Sequence, residues 1–479
     1  MADSFYWHDY ETWGAVPAHD RPCQFAGQRT DADLNPIGEP LVLFSRPADD
    51  LLPQPDACLV TGITPQRAAR EGLPEAEFAC AIQRELAEPG TCGVGFNSLR
   101  FDDEVTRHLL YRNLLDPYAH AHRDGNSRWD LIDVLRLAHA LRPDGIEWPE
   151  REPGVASFKL GDLTAANGIP HAGAHDALAD VRATIDMARL LKQAQPRLFD
   201  YALTLRHSNS VSALLEKGQV MLHVSQRYPA AQGCIAPVLV VGTHPDNPKQ
   251  RLCFDLRQDP TLLLDLSADE IRERLFTAAA ELPEGVERIA IKGIKINASP
   301  MLAPMGTLSD AAAERWGIDR QRIMAHAGRV AAASGLIAGK LREVYLGQQR
   351  PLPTDPDLML YSGGFFSDAD RRRMEQLHTL TPRELAQTQP RFDDPRLPTL
   401  LFRMRARSWP ESLTEGERED WDAWRFERLT DPDAGGSLTI DGFEQRTAEL
   451  RHEHATDRST LDLLDDLDEW AQQIMDATG

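Results

Sequence analysis

The chain has 479 residues, 42% of them hydrophobic and 26% charged, with a formal net charge of -22. Length alone suggests about three domains, and the composition is that of a soluble globular protein with material for more than one core. The acidic balance excludes a protein that coats nucleic acid nonspecifically, while leaving room for a local basic groove.

No apolar run approaches the ~20 residues of a membrane span, so no membrane partner is expected. Met1-Ala2-Asp3-Ser4 leads directly into a strand-like run, with neither a basic n-region nor an apolar h-region, and a cytoplasmic location is expected. The six cysteines, Cys23, Cys58, Cys80, Cys92, Cys234 and Cys253, contain no C-x-x-C pair. They read as buried free thiols in a reducing compartment rather than as a zinc site or a disulfide framework.

Phe5-Tyr6-Trp7-His8-Asp9-Tyr10-Glu11-Thr12-Trp13-Gly14 opens aromatic, as a buried strand does, and then sets two acids two positions apart. On a strand, residues i and i+2 face the same side, so Asp9 and Glu11 leave the sheet together. Two half-buried carboxylates side by side repel, and a hard divalent ion such as Mg²⁺ or Mn²⁺ suits the space between them. The alternative is two exposed acids in a frayed N-terminal turn. Gln24–Thr30 and Leu41–Phe44 then continue an antiparallel meander, followed by a helix over Pro74–Leu86 and a short buried strand, Thr91–Asn97. Further helices fit Asp102–Leu115, Trp129–Leu141 and Asp176–Gln193. This alternation predicts an α/β mixed sheet flanked by helices.

Beyond Gln195-Pro196-Arg197 the pattern changes to short β-like runs: Val220–Val224, Ile235–Val241, Arg251–Leu256 and Ile289–Lys292. They fit a small β-barrel with helical additions near Ala311–Trp316 and Arg320–Ala333. A proline-rich link follows at Gln348–Pro356. The remainder reads as helical, with Ser367-Asp368 capping one helix and Leu413–Leu429 forming another.

Two more stretches carry chemistry. In Asn97-Ser98-Leu99-Arg100-Phe101-Asp102-Asp103-Glu104-Val105, helical periodicity places Asp102 on the apolar stripe of Val105 and Leu109. A carboxylate there needs a partner. Asp103 and Glu104 read instead as acids favoured by a helix N-terminus. In His171-Ala172-Gly173-Ala174-His175-Asp176-Ala177-Leu178-Ala179-Asp180-Val181, Asp176 reads as an N-cap and Asp180 sits one turn in. Five residues of helix amount to about 140° of rotation, so His175 reaches the face of Asp180 only from the preceding loop. There it is either a general base or a surface cap residue.

Asp9-x-Glu11, Asn97-x-x-x-Phe101-Asp102 and His175-x-x-x-x-Asp180, in this order, resemble the motifs of the DEDD (DnaQ-like) exonucleases, DEDDh branch. The likeness is closest to the exodeoxyribonuclease I family, through Leu59–Pro65, Asn126–Asp130 and Gly363-Gly364-Phe365-Phe366-Ser367-Asp368. The resemblance implies a ribonuclease-H-like exonuclease domain (1–195), an SH3-like β domain (196–350) and a helical C-terminal domain (355–475), clamped in a C-shape around single-stranded DNA. It implies 3′→5′ exodeoxyribonuclease activity releasing 5′-mononucleotides, in DNA repair and recombination. Asp9, Glu11, Asp102 and Asp180 are implied to hold two Mg²⁺ ions, with Mn²⁺ as a substitute, and His175 to accept the proton of the attacking water.

Lys159, in Ser157-Phe158-Lys159-Leu160, stands where the family carries arginine, and His122 where it carries tryptophan. Glu11, Arg107, Tyr118, Arg128 and Arg136 match positions along the family's DNA path. For Arg107 and Arg136 a solvated helix face with nearby acids is the alternative. Arg142 matches a position implicated in docking the acidic C-terminal tail of single-stranded-DNA-binding protein, the alternative being an exposed cation at a helix C-terminus. Arg403, Arg405 and Arg407 read as surface residues, and the chain as a monomer. Two competing functions are a DEDDh exonuclease preferring RNA and a nonhydrolytic single-strand-binding clamp.

Overall fold

In a computed structural model of the protein, which describes residues 4–173, 175–216, 218–278, 280–346 and 352–477, the opening aromatic run forms strand β1 (Ser4–Thr12). It pairs antiparallel with β2 (Pro22–Thr30), which pairs with β3 (Pro36–Phe44); helices α1 (Pro55–Thr61), α2 (Pro65–Glu71) and α3 (Glu75–Leu86) follow. Strand β4 (Thr91–Gly95) then lies parallel to β1 on its other side, and α4 (Asp102–Arg112) leads away from it. The order β3-β2-β1-β4 makes β1 an inner strand. Both its faces are covered, which is why Phe5, Tyr6, Trp7 and Tyr10 are all buried.

Contacts divide the chain into two units, Met1–Ser127 with His171–Ile185 and Pro351–Gly479, and Arg128–Pro170 with Asp186–Arg350. In the first unit, Tyr6, Tyr10 and Phe25 from the sheet pack against Phe78, Ile82, Val105 and Leu109 from α3 and α4. At the far end of β1, Trp13, Cys23, Leu51 and Leu52 share a core with Leu429, Phe443, Leu450, Leu464 and Leu467 from the C-terminal helices. Those helices include Asp368–Leu377, capped by Ser367, and Glu415–Thr430, which opens with a capping box of Thr414 and Glu417.

A buried ionic lattice joins the same parts. Arg21 meets Asp50 at 2.5 Å, Arg407 bridges Asp50 (2.9 Å) and Asp357 (2.5 Å), and Arg403 reaches Asp357 at 3.1 Å and also pairs with Asp355. Beside it Arg112 meets Glu75 at 2.5 Å. This corrects the surface reading of Arg403, Arg405 and Arg407. All three are buried, Arg405 on Glu417 at 2.7 Å.

In the second unit the β-like runs form a five-stranded antiparallel sheet, ordered Ile291–Lys295, Asn247–Asp255, Ile235–His244, Met221–Val224, Met301–Pro304. Met301–Pro304 was not anticipated. It is short and ends in proline, and it lies at the edge of the sheet, where a residue without an N–H is readily accommodated. The helices Asp310–Arg315 and Arg320–Ala332 match expectation, and Ser334–Tyr345 adds a third. Five cysteines are buried and Cys80 is half-buried, all free. Among the described residues no helix is long and apolar enough to cross a membrane. Gln348-Gln349-Arg350-Pro351 of the proline-rich link and Ala174 of the histidine-bearing stretch lie outside the described residues.

Candidate active site

Extended backbone at β1 puts Asp9 and Glu11 on one face, while Tyr10 turns the other way against Phe25, ring centroids 4.9 Å apart. The parallel ladder between β1 and β4 ends at Trp7–Val94. Beyond it, the backbone N–H of Tyr10 donates to Asp102 Oδ1 at 3.1 Å. The first residue of α4 is thereby tied to the strand that carries the other acids, and Asp102 is buried as its place on the apolar stripe predicts.

Asp103 departs from expectation. It is buried like Asp102, and its charge acts on His8 and Arg107 rather than serving only the helix dipole. The helix start lies under the sheet, so two successive positions are covered.

Asp180 comes from the first turn of the helix Ala177–Ala194. Asp176 caps that helix, its carboxylate accepting the Ala179 N–H at 3.2 Å. Gln24, opposite Glu11 on β2, donates to Asp176 Oδ2 (3.3 Å) and accepts the Ala177 N–H (3.2 Å). This clamp was missed, although antiparallel register across the first hairpin would have pointed to Gln24.

His175 lies in the loop before the helix, exposed and with left-handed φ of 68°. Ligand atoms of Glu11, His175 and Asp180 all lie within 4.8 Å of one another. Sequence reasoning also passed over His171, whose Nε2 donates to Asp180 Oδ1 at 2.5 Å.

Burial, then Asp102, Glu11, Asp180 and Asp176 in turn, drive the Asp9 carboxyl well above the usual carboxylate range. Burial, followed by Asp180, Asp102 and Asp176, pushes Glu11 up to about 8. Asp102, Asp180 and Asp176 thus all lie close enough to act on both Asp9 and Glu11. Hard oxygen donors in that state fit a hard divalent cation.

The other candidates are more dispersed. Arg107 is half-buried and held by Glu104 Oε1 (2.5 Å) and the Tyr361 hydroxyl (3.2 Å), with Tyr118 beneath it at 5.9 Å. Phe365, 80% exposed, stands edge-on to Tyr118 at 5.8 Å. His122 is exposed, its Nδ1 2.9 Å from the Tyr118 carbonyl. Arg136 is buried, paired with Asp133 at 2.7 Å and 5.4 Å over the Phe158 ring, which removes the solvated-face reading for it. Arg128 is half-buried, Lys159 is exposed just ahead of the helix Leu160–Ala166, and Arg142 is exposed at the end of the helix Leu131–Leu141.

Comparison with known proteins covers nearly the whole chain. Family models match for an exonuclease domain at residues 6–188, the exonuclease I SH3-like domain at 206–347 and the exonuclease I C-terminal domain at 354–474. Exodeoxyribonuclease I of Escherichia coli is 42% identical over 475 residues, 98% of each chain. Exonuclease I from Methylocaldum szegediense superposes with a TM-score of 0.94 at 50% identity, covering 98% of this chain and 99% of that one. A zinc-bound E. coli exonuclease I–single-stranded DNA complex gives 0.93 at 41% identity, and an SSB/exonuclease I structure with the inhibitor CFAM gives 0.90 at 41%, each covering 99% of this chain and 100% of the other.

Proposed function

The chain belongs to the exonuclease I family, and from that membership we propose how its own residues carry out the reaction. It is an exodeoxyribonuclease that degrades single-stranded DNA from the 3′ end to 5′-mononucleotides and depends on divalent metal. It binds single-stranded DNA and single-stranded-DNA-binding protein. The observation that carries the assignment of residues is the convergence of Glu11, His175 and Asp180, with Asp102 close enough to raise both the Asp9 and the Glu11 carboxyl.

In this reading Asp9, Glu11, Asp102 and Asp180 hold two Mg²⁺ ions, Mn²⁺ substituting. Bound divalent ions supply a lowered pKa for water and charge compensation at the departing 3′-oxygen. Asp102 is kept in register by the Tyr10 N–H, and Asp180 by a helix start fixed through Asp176 and Gln24. His175 accepts the proton of the attacking water at an imidazole nitrogen, a role its exposed loop position allows.

We assign the catalytic domain to residues 1–195, the SH3-like domain to 196–350 and the helical domain to 355–475. Glu11, Arg107, Tyr118, His122, Arg128, Arg136 and Lys159 make the substrate contacts. Tyr118 and the exposed Phe365 offer aromatic faces on which bases stack without sequence readout. Arg142 receives the acidic tail of single-stranded-DNA-binding protein. We place the protein in the cytoplasm as a monomer acting in repair and recombination.

The test is an assay on end-labelled single-stranded DNA and matched RNA, with Mg²⁺ and with EDTA. Mononucleotide release from DNA, abolished by EDTA and by Asp9→Ala or Asp180→Ala, is the expected result. Full activity in either variant refutes the residue assignment, and preference for RNA refutes the substrate.

A further inference from the structure

Asp102 has the Tyr10 N–H to hold its carboxylate, and Asp176 has Gln24. Asp180 has neither of these, yet it sits on the first turn of a helix where several rotamers of a short acid compete. Its fixed partner comes from outside the helix. His171 Nε2 lies 2.5 Å from Asp180 Oδ1, with the imidazole side chain 8% exposed and the carboxylate 18%. The contact is therefore sheltered from water, where a hydrogen bond to an ionised oxygen is strong and directional.

The loop geometry explains how His171 gets there. Gly173 takes φ of 86° and His175 takes 68°, and the Asp176 N–H closes back onto the Gly173 carbonyl at 3.0 Å. The chain reverses tightly, so residues four apart in sequence both approach Asp180 without sharing a helix face. Their environments differ: His171 is sheltered and engaged with Oδ1, whereas His175 is exposed and near Glu11 as well. A carboxylate presents about four lone-pair sites on two oxygens, so holding Oδ1 leaves Oδ2 to serve as a ligand.

We propose that His171 is a positioning residue that fixes the Asp180 carboxylate in its metal-binding orientation, as outer-shell partners of ligating groups do. The inference rests on the metal-site reading of Asp9, Glu11, Asp102 and Asp180. It assigns His171 no part in the chemical step, which falls to His175.

Titration calorimetry with Mn²⁺ alone on the full-length wild type, His171→Ala and His171→Gln separates the possibilities. Loss of the imidazole weakens Mn²⁺ binding by about 10–100-fold. Glutamine, which keeps an N–H donor, recovers most of that loss. In the oligonucleotide assay, saturating Mn²⁺ returns kcat of His171→Ala toward the wild-type value while the half-saturating metal concentration stays raised. A proton acceptor, once removed, would leave kcat low at any metal concentration. Unchanged or tighter Mn²⁺ binding in His171→Ala, beside a wild type that binds, overturns the role of His171 alone. A wild type that binds no Mn²⁺ overturns the metal-site reading and this assignment with it.

Discussion

Asp50→Asn tests whether the buried lattice holds the C-terminal helices to the sheet that carries the acids. The Asp50 side chain is fully buried and accepts from Arg21 at 2.7 and 2.5 Å and from Arg407 at 3.2 and 2.9 Å, with Arg428 at 3.9 Å. Asparagine keeps the shape but removes the charge, and it turns an N–H₂ group toward guanidinium donors. Breaking one member of a buried ion cluster costs about 3–5 kcal/mol. At an unfolding entropy of about 2.1 cal/mol/K per residue over a unit of roughly 270 residues, the melting temperature falls by about 5–9 °C. The pH dependence supplies a second arm. Burial alone would raise the Asp50 carboxyl, but Arg21 and Arg407 hold it well below the usual range, and Arg407 and Arg403 do the same for Asp357. A depressed carboxyl stabilises the fold fully above its unfolded pKa of about 3.9, and that stability is lost as pH falls below it. Thermal scans between about pH 2.5 and 7 should therefore show a shallower acid limb in the variant than in the wild type. A variant that melts with the wild type at neutral pH, or that keeps the same acid limb, refutes the reasoning.

Asp9→Asn should abolish detectable nuclease activity while raising the melting temperature of the metal-free protein by a few degrees, about 1–2 kcal/mol, because it removes a carboxylate that burial and four other acids oppose. A lower melting temperature would count against that electrostatic picture. Mg²⁺ affinity should rise with pH up to about 8, where the Glu11 carboxyl stands in the metal-free protein, since below that value the metal must displace a proton. The slope, up to about tenfold per pH unit for one proton, is readable by calorimetry, and a flat profile from pH ~6 to ~8 would be inconsistent with it. Gln24→Ala removes both bonds to the start of the helix Ala177–Ala194 and should cost about 1 kcal/mol of stability, seen in urea titration, with a fall in activity larger than the loss of fold. Activity and stability unchanged together would remove Gln24 from the site.

The acids of the site were legible because each sits in a regular element whose period aims it: Asp9 and Glu11 by alternation on a strand, Asp102 by sharing a stripe with Val105 and Leu109. His171 was not legible. It and His175 flank the same short loop, and only the left-handed turns at Gly173 and His175 decide which imidazole meets Asp180 Oδ1. Arg403, Arg405 and Arg407 misled for a different reason. Alternate positions spread around a helix as solvated charges do, and the two acids that meet Arg407 lie 357 and 50 residues away, separations with no periodic trace. Yet site and lattice, both made of buried carboxylates, part on one physical criterion. Arg21, Arg407, Arg403 and Arg112 lower Asp50, Asp357 and Glu75, whereas Asp9 and Glu11 are raised by burial and by other acids. Where the chain supplies its own cations, gathered acids make a joint between folded parts. Where other acids gather instead, as around Asp9 and Glu11, the same residue type suits an ion from outside, and that asymmetry separates the proposed catalytic pocket from the scaffold built around it.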